Sequence, residues 1–319
     1  MERIESFDIL KGIGIILMIV AHTYGPNHLI WDFIYAFHMP LFFIVAGYFY
    51  KQESISELLN KNIKKLLIPY IILCFVVILL TQIWHPHSTK NDIEDTLNGM
   101  GPGWFLLAMF MVRIAFLYIL KFFPRHYLFF SILISLTVCC IAYFHNTPSF
   151  LSIFPCLVSL FFIATGYYIR MHSLLDFDNK HSLFFIFLGM VFWITTSLFG
   201  KVDMSQCIFK LSIIDFCGSL GGTFIVYKLS QFIDNSNGNV KYILSCAGNY
   251  SIVILFFHSI DYCVPIWFIL IPYLPPPLLI PSILFIRLLF ITICVIITLR
   301  SKYLQLFFNI QQKHGNYFT

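Results

Sequence analysis

Three titratable residues share one apolar segment near the start of the chain. The segment runs from Phe7 to Tyr24 (FDILKGIGIILMIVAHTY) and carries Asp8, Lys11 and His22. It is long enough to enter a lipid bilayer. A charged group at membrane depth costs at least about 2.5 kcal/mol, so a span that keeps three titratable groups is expected to use them. An imidazole can take or give a proton near neutral pH, and His22 is therefore the first candidate for catalysis.

The spacing of these residues predicts how they are arranged. Asp8 and Lys11 are three positions apart, so on a helix they share a face and can form an ion pair. Lys11 and His22 are separated by eleven steps of about 100° each, roughly 20° more than three turns, which places them on one stripe about 16 Å apart. One helix face thus presents a cation near one membrane surface and an imidazole near the other.

Two more polar residues are predicted at the depth of His22. His38 lies about 10 Å into the second apolar segment, and Arg287 lies at a similar depth in the last one. If these helices are neighbours, two imidazoles and a guanidinium converge. Such a group can take up a proton at an imidazole and stabilise a developing negative charge through its hydrogen-bond donors. We predict His22 as the base and His38 as an orienting group, a charge stabiliser or a second base; a purely structural histidine is the alternative for each.

The composition predicts an all-α, polytopic integral membrane helix bundle. Hydrophobic residues make up 59% of the 319 residues, charged residues 11%, and the mean hydropathy is +0.83, far from a soluble domain with about 25% charged residues. Residues 1–319 are interpreted as a single membrane-embedded domain. A window of about 20 residues gives ten candidate spans. They are 7–24, 31–50, 66–84, 103–121, 127–145, 150–170, 181–200, 208–230, 249–271 and 281–300.

The basic residues predict the orientation. With the N-terminus in the cytoplasm, fourteen of the 20 Lys and Arg residues lie on the inner side, whereas the outer side receives Lys90, Lys201 and Lys210. Cytoplasmic loops are enriched in Lys and Arg, so both termini are expected in the cytoplasm of a multi-pass plasma-membrane protein.

Several classes of site and partner are not indicated. The nine cysteines fall mostly within apolar runs without metal-ligand spacing, so no metal is expected. No G-x-S-x-G elbow, zinc signature or P-loop occurs. Nothing suggests nucleic acid, since the net charge of +5 says little in a polytopic protein. Lys11 interrupts the first apolar run and no small-residue cleavage site is apparent, so no cleavable signal peptide is expected.

Five motifs together resemble a known family. They are a basic residue followed after ten positions by His22, then FHMPLFF with Gly47, then basic residues leading into LLIPY, then GWFL from Gly103, and finally NYS from Asn249 with His258 downstream. Nearly the whole chain resembles the acyltransferase 3 family, with the closest resemblance to its fucose 4-O-acetylase-like branch, which acylates cell-surface sugars.

The resemblance implies transfer of an acyl group, usually acetyl, from cytoplasmic acetyl-CoA as co-substrate to a glycan or glycolipid hydroxyl at the outer face. Lys11 and His22 match the family's basic residue and histidine, and His38 matches the histidine of its second-span motif. The chain departs from the family where Lys11 replaces a more frequent Arg and Ala46 replaces a more frequent Ser. Lysine keeps the charge but loses bidentate phosphate geometry, which weakens the assignment of Lys11 to donor binding.

The remaining predicted site residues belong to donor and acceptor binding. For the phosphates of CoA we predict Lys11, Lys61, Lys64 and Lys65, because cations hold phosphates in charge-assisted pairs; ordinary positive-inside lysines, and for Lys11 a snorkelling lysine paired to Asp8, are the alternatives.

For the sugar or acyl path we predict Arg287, Trp104 and Tyr250, with bundle packing as the alternative for the aromatic residues. Arg113 is expected to pair with Asp215. His258 and Asp261, three positions apart, are interpreted as a satisfied polar pair.

Two functions of other classes remain open from the sequence. The first is a proton-coupled transporter or flippase of a glycan precursor, with the buried His, Lys and Asp as a relay; the absence of a visible internal repeat counts against it. The second is a non-catalytic subunit of a polysaccharide synthesis complex. Our prediction is an O-acetyltransferase of an envelope or secreted polysaccharide, such as a capsule or exopolysaccharide.

Overall fold

The computed structural model describes residues 4–26, 28–84, 103–145, 152–175, 179–263 and 272–310. These residues are almost entirely helical, as the sequence predicts. The helices are α1 (Glu5–Tyr24), α2 (Leu29–Tyr35), α3 (His38–Tyr48), α4 (Ile55–Asn62), a π-helical turn (Ile63–Leu67), α5 (Ile68–Trp84), α6 (Trp104–Phe122), α7 (Tyr127–His145), α8 (Ile153–Met171), α9 (Asn179–Phe199), α10 (Ile213–Asp234), α11 (Asn239–Asn249), α12 (Ser251–Cys263), α13 (Pro276–Arg300) and α14 (Lys302–Phe307). Two short strands, β1 (Val202–Asp203) and β2 (Ile208–Phe209), pair in an antiparallel hairpin between α9 and α10.

Eight helical segments in the described parts of the chain are long and apolar enough to cross a membrane, or nine if α11 and α12, which meet at 75°, count as one broken span. This differs from the ten predicted. The predicted span 208–230 is wrong at its start, because residues 208–209 belong to the hairpin and the helix begins only at Ile213. The predicted span 249–271 begins at the bend before α12, and its residues beyond Cys263 lie outside the described part.

Helix α1 lies in the middle of the bundle. In its apolar stretch 67% of the residues are buried, against 17% in α7 and α13. It packs against α2, α3, α10, α11, α12 and α13. The helix that carries Lys11 and His22 therefore contacts most of the elements that can supply other site residues.

Two glycines allow α1 and α11 to cross at close range. A Cβ atom on Gly12 would overlap the backbone oxygen of Leu244, and one on Gly248 would overlap the backbone oxygen of Asp8. Small residues at such crossings let membrane helices approach through their backbones. This crossing fixes α1 against the segment that leads into α12.

We expect Gly12→Ala to destabilise the protein by about 1–3 kcal/mol, because the new methyl group must push α11 away. Gly14→Ala is the matched control on the same helix, since its Cβ would meet the ring of Phe42 at an ordinary 3.4 Å and alanine is the better helix former. Thermal unfolding in detergent measures both. Equal unfolding temperatures for the two variants would contradict the close crossing.

The second apolar segment is broken by a proline. Pro40 has no N–H for the carbonyl of Ala36, and its ring conflicts with that carbonyl, which ends a regular helix there. Accordingly α2 ends at Tyr35, α3 begins at His38, and the N–H of Phe37 donates to the carbonyl of Ile34 at 3.1 Å. The break sets the directions of the side chains on both sides of it.

Candidate functional site

A buried cavity of about 50 Å³ lies beside α1, at the end of the helix that carries His22. We call this end of α1 the His22 end and the opposite end the Lys11 end. The cavity wall is built from α1, α2, α3, α6, α12 and the β1–β2 hairpin. Its polar lining residues include His22, Tyr35, His38, Trp104, Asp203, Ser205, His258 and Ser259, and its apolar ones include Met18, Met39, Phe105 and Leu255.

His22 lies among aromatic rings at this cavity. Its Nε2 is 2.9 Å from the phenol oxygen of Tyr35, and its Nδ1 is buried without a hydrogen-bond partner among the described residues. The ring packs against the rings of Trp31, Tyr262 and His258 at centroid distances of 5.3, 4.8 and 5.0 Å. This environment holds the imidazole in one orientation while it keeps access to a polar cavity.

His38 is buried, and its protonation pattern follows from its partner. Its Nδ1 is 3.0 Å from the backbone oxygen of Ile34, and a carbonyl oxygen can only accept a hydrogen bond, so Nδ1 carries the proton. In the neutral ring, Nε2 then keeps its lone pair. The helix break supplies this geometry, and it prepares His38 to accept a proton or a hydrogen bond through Nε2.

His258 is a third imidazole at the cavity. It belongs to a buried polar network that also contains Asp261 and Arg287. Its Nδ1 lies 3.6 Å from Asp261 Oδ2, which is longer than a hydrogen bond, and neither ring nitrogen has a hydrogen-bond partner in the described structure. The structure thus brings the predicted pair together, but the pair does not satisfy the imidazole nitrogens. A buried imidazole with an unpartnered nitrogen at a cavity is a group that can meet a ligand.

Arg287 connects this buried polar network to α1. Its Nε lies 3.2 Å from Asp261 Oδ2, and its Nη1 donates to the backbone oxygen of His22 at 3.0 Å and to Thr23 Oγ1 at 3.2 Å. The predicted convergence of His22, His38 and Arg287 is found. The guanidinium, however, is engaged by α1 and α12, so its geometry favours positioning of His22 over the direct substrate contact that we predicted.

The predicted donor-binding lysines lie away from this cavity. Lys11 forms the expected ion pair with Asp8 at 2.8 Å, about 16 Å along α1 from His22. Lys61 pairs with Glu53 at 2.7 Å, and Lys64 and Lys65 are exposed on the π-helical turn.

Lys61, Lys64 and Lys65 come after the part of α3 that packs against the Lys11 end of α1. The ring of Phe7 packs on Tyr48 at 4.5 Å, so the chain leaves α3 at this end and continues into α4 and the π-helical turn. Lys11 and His22 thus lie at opposite ends of α1, as the sequence predicts, and Lys61, Lys64 and Lys65 follow in the chain after the end of α3.

Trp104 and Tyr250, both predicted to line the substrate path, are separated by the fold. Trp104 lines the cavity. Tyr250 lies at the bend between α11 and α12, eight residues before His258 and so about 12 Å from it along a helix. It is not part of the cavity wall.

The expected pairing of Arg113 with Asp215 is wrong. Arg113 lies over the ring of Tyr50, 5.7 Å from its centroid. Asp215 accepts a hydrogen bond from the backbone N–H of Leu211 at 2.7 Å and stabilises the start of α10. Arg113 thus lies against an aromatic ring, and Asp215 caps the start of its own helix.

Sequence reasoning did not single out Tyr35 and Asp203. Tyr35 is three positions before His38, a helical spacing that indicates a shared face and could have identified it. Asp203 reaches the cavity wall through the hairpin turn, where its Oδ1 accepts hydrogen bonds from Ser205 N and Oγ at 3.0 and 2.6 Å; no sequence pattern indicates this. Within the described residues, no three His, Cys, Asp or Glu side chains are placed to hold a metal ion.

Comparison with known proteins identifies the family of the chain. An acyltransferase domain family matches residues 4–300, a range that includes all the residues of the cavity wall. The nodulation protein NolL of Mesorhizobium japonicum (strain LMG 29417 / CECT 9101 / MAFF 303099) is 28% identical over 34% of this chain and 34% of its own length. The matched part is thus about a third of that relative. No solved structure matches the chain. Because the family match covers nearly the whole chain, the protein belongs to the acyltransferase 3 family and carries its acyltransferase domain.

Proposed function

We propose that this protein is a membrane O-acyltransferase that transfers an acetyl group from cytoplasmic acetyl-CoA to a hydroxyl group of a cell-surface or secreted polysaccharide. In this proposal the N-terminus and the Lys11 end of α1 face the cytoplasm of the plasma membrane. The His22 end receives a glycan or glycolipid acceptor from outside, with polysaccharide synthesis machinery as a partner. The family match over residues 4–300 supports acyl transfer.

One observation carries the proposal: His22, His38 and His258, from three different helices, surround a single buried cavity. Transfer to an alcohol requires a group that accepts the hydroxyl proton, and histidine is the side chain most often used. His22 is our base, because it combines cavity access with a fixed orientation. His38, with Nε2 unprotonated in its neutral form, orients the acceptor hydroxyl or acts as a second base.

The cations at the Lys11 end supply the donor site. CoA provides an activated thioester whose acyl group is to be transferred. Lys64 and Lys65 are exposed and suited to its phosphates, while Lys61 and Lys11 already hold carboxylates at 2.7 and 2.8 Å and contribute less free charge. The carboxylate of Asp8 fixes Lys11 on the stripe of α1 that leads to His22.

The size of the cavity favours a short acyl group. Its volume is about 50 Å³, whereas an engineered cavity that binds benzene has a volume of about 150 Å³. Trp104 and Phe105 close one side of it. An acetyl group suits this space, and a sugar ring must approach from the cavity mouth.

The decisive experiment compares surface glycans from cells with and without the protein, together with acetyl transfer by the purified protein in proteoliposomes supplied with radiolabelled acetyl-CoA. We expect O-acetyl signals to disappear from the glycan when the protein is absent, and label to pass to an added glycan acceptor. Unchanged glycan acetylation would contradict the proposal, and so would proton-coupled uptake of a glycan precursor in vesicles without acetyl-CoA.

We expect Lys64→Gln and Lys65→Gln each to raise the KM for acetyl-CoA about tenfold and to leave kcat unchanged. A charge-assisted hydrogen bond contributes roughly 1.5–3 kcal/mol, and 1.4 kcal/mol corresponds to a factor of ten. Steady-state kinetics at low salt measure the effect. Lys302→Gln, which removes an exposed lysine of α14, is the control. An equal rise in KM for the control would show a general surface-charge effect and contradict a donor site at the π-helical turn.

A further inference from the structure

Tyr35 contacts both of the histidines that the proposed reaction uses. Its phenol oxygen is 2.9 Å from His22 Nε2, and its ring centroid is 4.6 Å from that of His38. It also lines the cavity. Tyr35 therefore lies between the proposed base and the space where the acceptor hydroxyl must react.

The position of Tyr35 is fixed by its neighbours. The indole of Trp31 stacks on the phenol ring at 3.7 Å with an angle of 18° between the planes. The hydrogen bond to His22 fixes the opposite, polar end. The helix break at Ala36 and Phe37 holds Tyr35 and His38 on one side of the segment. The phenol is thus pre-organised, which a group that moves protons requires.

The phenol of Tyr35 and the imidazole of His22 can each donate and accept a hydrogen bond. When the phenol O–H donates to His22 Nε2, the lone pair of this nitrogen is already occupied by the phenol proton. An acceptor hydroxyl in the cavity then cannot give its proton to Nε2 without displacing the phenol. The hydroxyl can give its proton to the phenol oxygen instead, because that oxygen can still accept a hydrogen bond.

We propose that Tyr35 is a catalytic residue that relays the proton from the acceptor hydroxyl to His22, an inference that rests on the acyl-transfer function proposed above. The acceptor oxygen attacks the thioester carbon and passes its proton to the phenol oxygen of Tyr35, whose own proton moves to His22 Nε2. The tetrahedral intermediate collapses, and the C–S bond breaks. The proton then returns from His22 through Tyr35 to the CoA thiolate. Alcohol and thioester become ester and thiol, and both side chains recover their starting state.

The first test is Tyr35→Phe, which keeps the ring and removes the hydroxyl. We expect kcat to fall about 100-fold, the lower end of the usual contribution of proton-transfer groups, with an unchanged KM for acetyl-CoA. Tyr24→Phe removes a phenol that does not line the cavity and is expected to behave like the wild type. Normal kcat in Tyr35→Phe, or a raised KM with normal kcat, overturns the relay.

The second test separates a relay from a structural hydrogen bond. Two protons move together in the relay, so a plot of wild-type kcat against the deuterium fraction of the solvent is expected to be curved. A linear plot overturns the proposal. If Tyr35→Phe fails to fold, 3-fluorotyrosine at position 35 retains the hydroxyl and changes its acidity; a changed kcat is expected, and an unchanged one overturns the relay. A wild-type protein without acyl-transfer activity would instead refute the proposed function itself.

Discussion

Replacement of His22 by Gln is expected to lower acetyl transfer by about 10³-fold, within the range that a proton-transfer group contributes. Glutamine can still hydrogen-bond Tyr35 but cannot take a proton at neutral pH. The backbone oxygen of residue 22 still accepts from Arg287, so the fold is expected to persist. Acetyl transfer to a glycan acceptor in proteoliposomes and thermal unfolding in detergent measure the two effects separately.

His126→Gln is the control for this variant, because His126 is exposed between α6 and α7. We expect its activity to equal that of the wild type. Activity of His22→Gln close to that of the control would remove the basis of the proposed mechanism.

The same two variants can also distinguish two routes. Label from radioactive acetyl-CoA that is retained on the protein, sensitive to hydroxylamine and lost in His22→Gln supports a covalent acyl-histidine. Acetyl transfer by the wild type without retained label supports direct transfer.

Replacement of Asp261 by Asn is expected to destabilise the protein by about 3–5 kcal/mol, because it leaves the guanidinium of Arg287 buried without its charged partner. Asp261 is 2% exposed and Arg287 6% exposed, so water cannot compensate for the loss. The orientation of His258 is also expected to loosen, and activity to fall with it. Unfolding temperature and acetyl transfer are measured on the same preparation.

Glu5→Gln provides the matched control for a charge pair at the surface. The carboxylate of Glu5 lies 3.4 Å from Lys241 Nζ and is 47% exposed, and exposed pairs contribute about 0–1 kcal/mol. We expect little change in its unfolding temperature. A double variant, Asp261→Asn with Arg287→Met, is expected to recover stability without activity, because Arg287 also holds α1 at His22 and Thr23. If Asp261→Asn and Glu5→Gln have the same unfolding temperature, the buried polar network does not stabilise the site.

Features that depend on one helix could be predicted from the sequence. The pairing of Asp8 with Lys11 follows from a separation of three residues, and the distance between Lys11 and His22 follows from the helical rise. The break in the second apolar segment, which we predicted as the single span 31–50, lies four residues before Pro40, where the missing N–H could have indicated it. The helical character of the bundle follows because a spanning segment must satisfy its own backbone hydrogen bonds in lipid.

Features that depend on which helices are neighbours were decided only by the tertiary structure. The sequence misassigned Arg113 to Asp215, did not show that Tyr250 lies outside the cavity wall, and gave no reason to bring Asp203 to the cavity. In a membrane protein nearly every face of a helix is apolar, so hydrophobic pattern identifies the spans but not their contacts. Close crossings such as Gly12 with Leu244 select the neighbours of α1. Those contacts, and not the spacing along the chain, bring His22, His38 and His258 around one cavity.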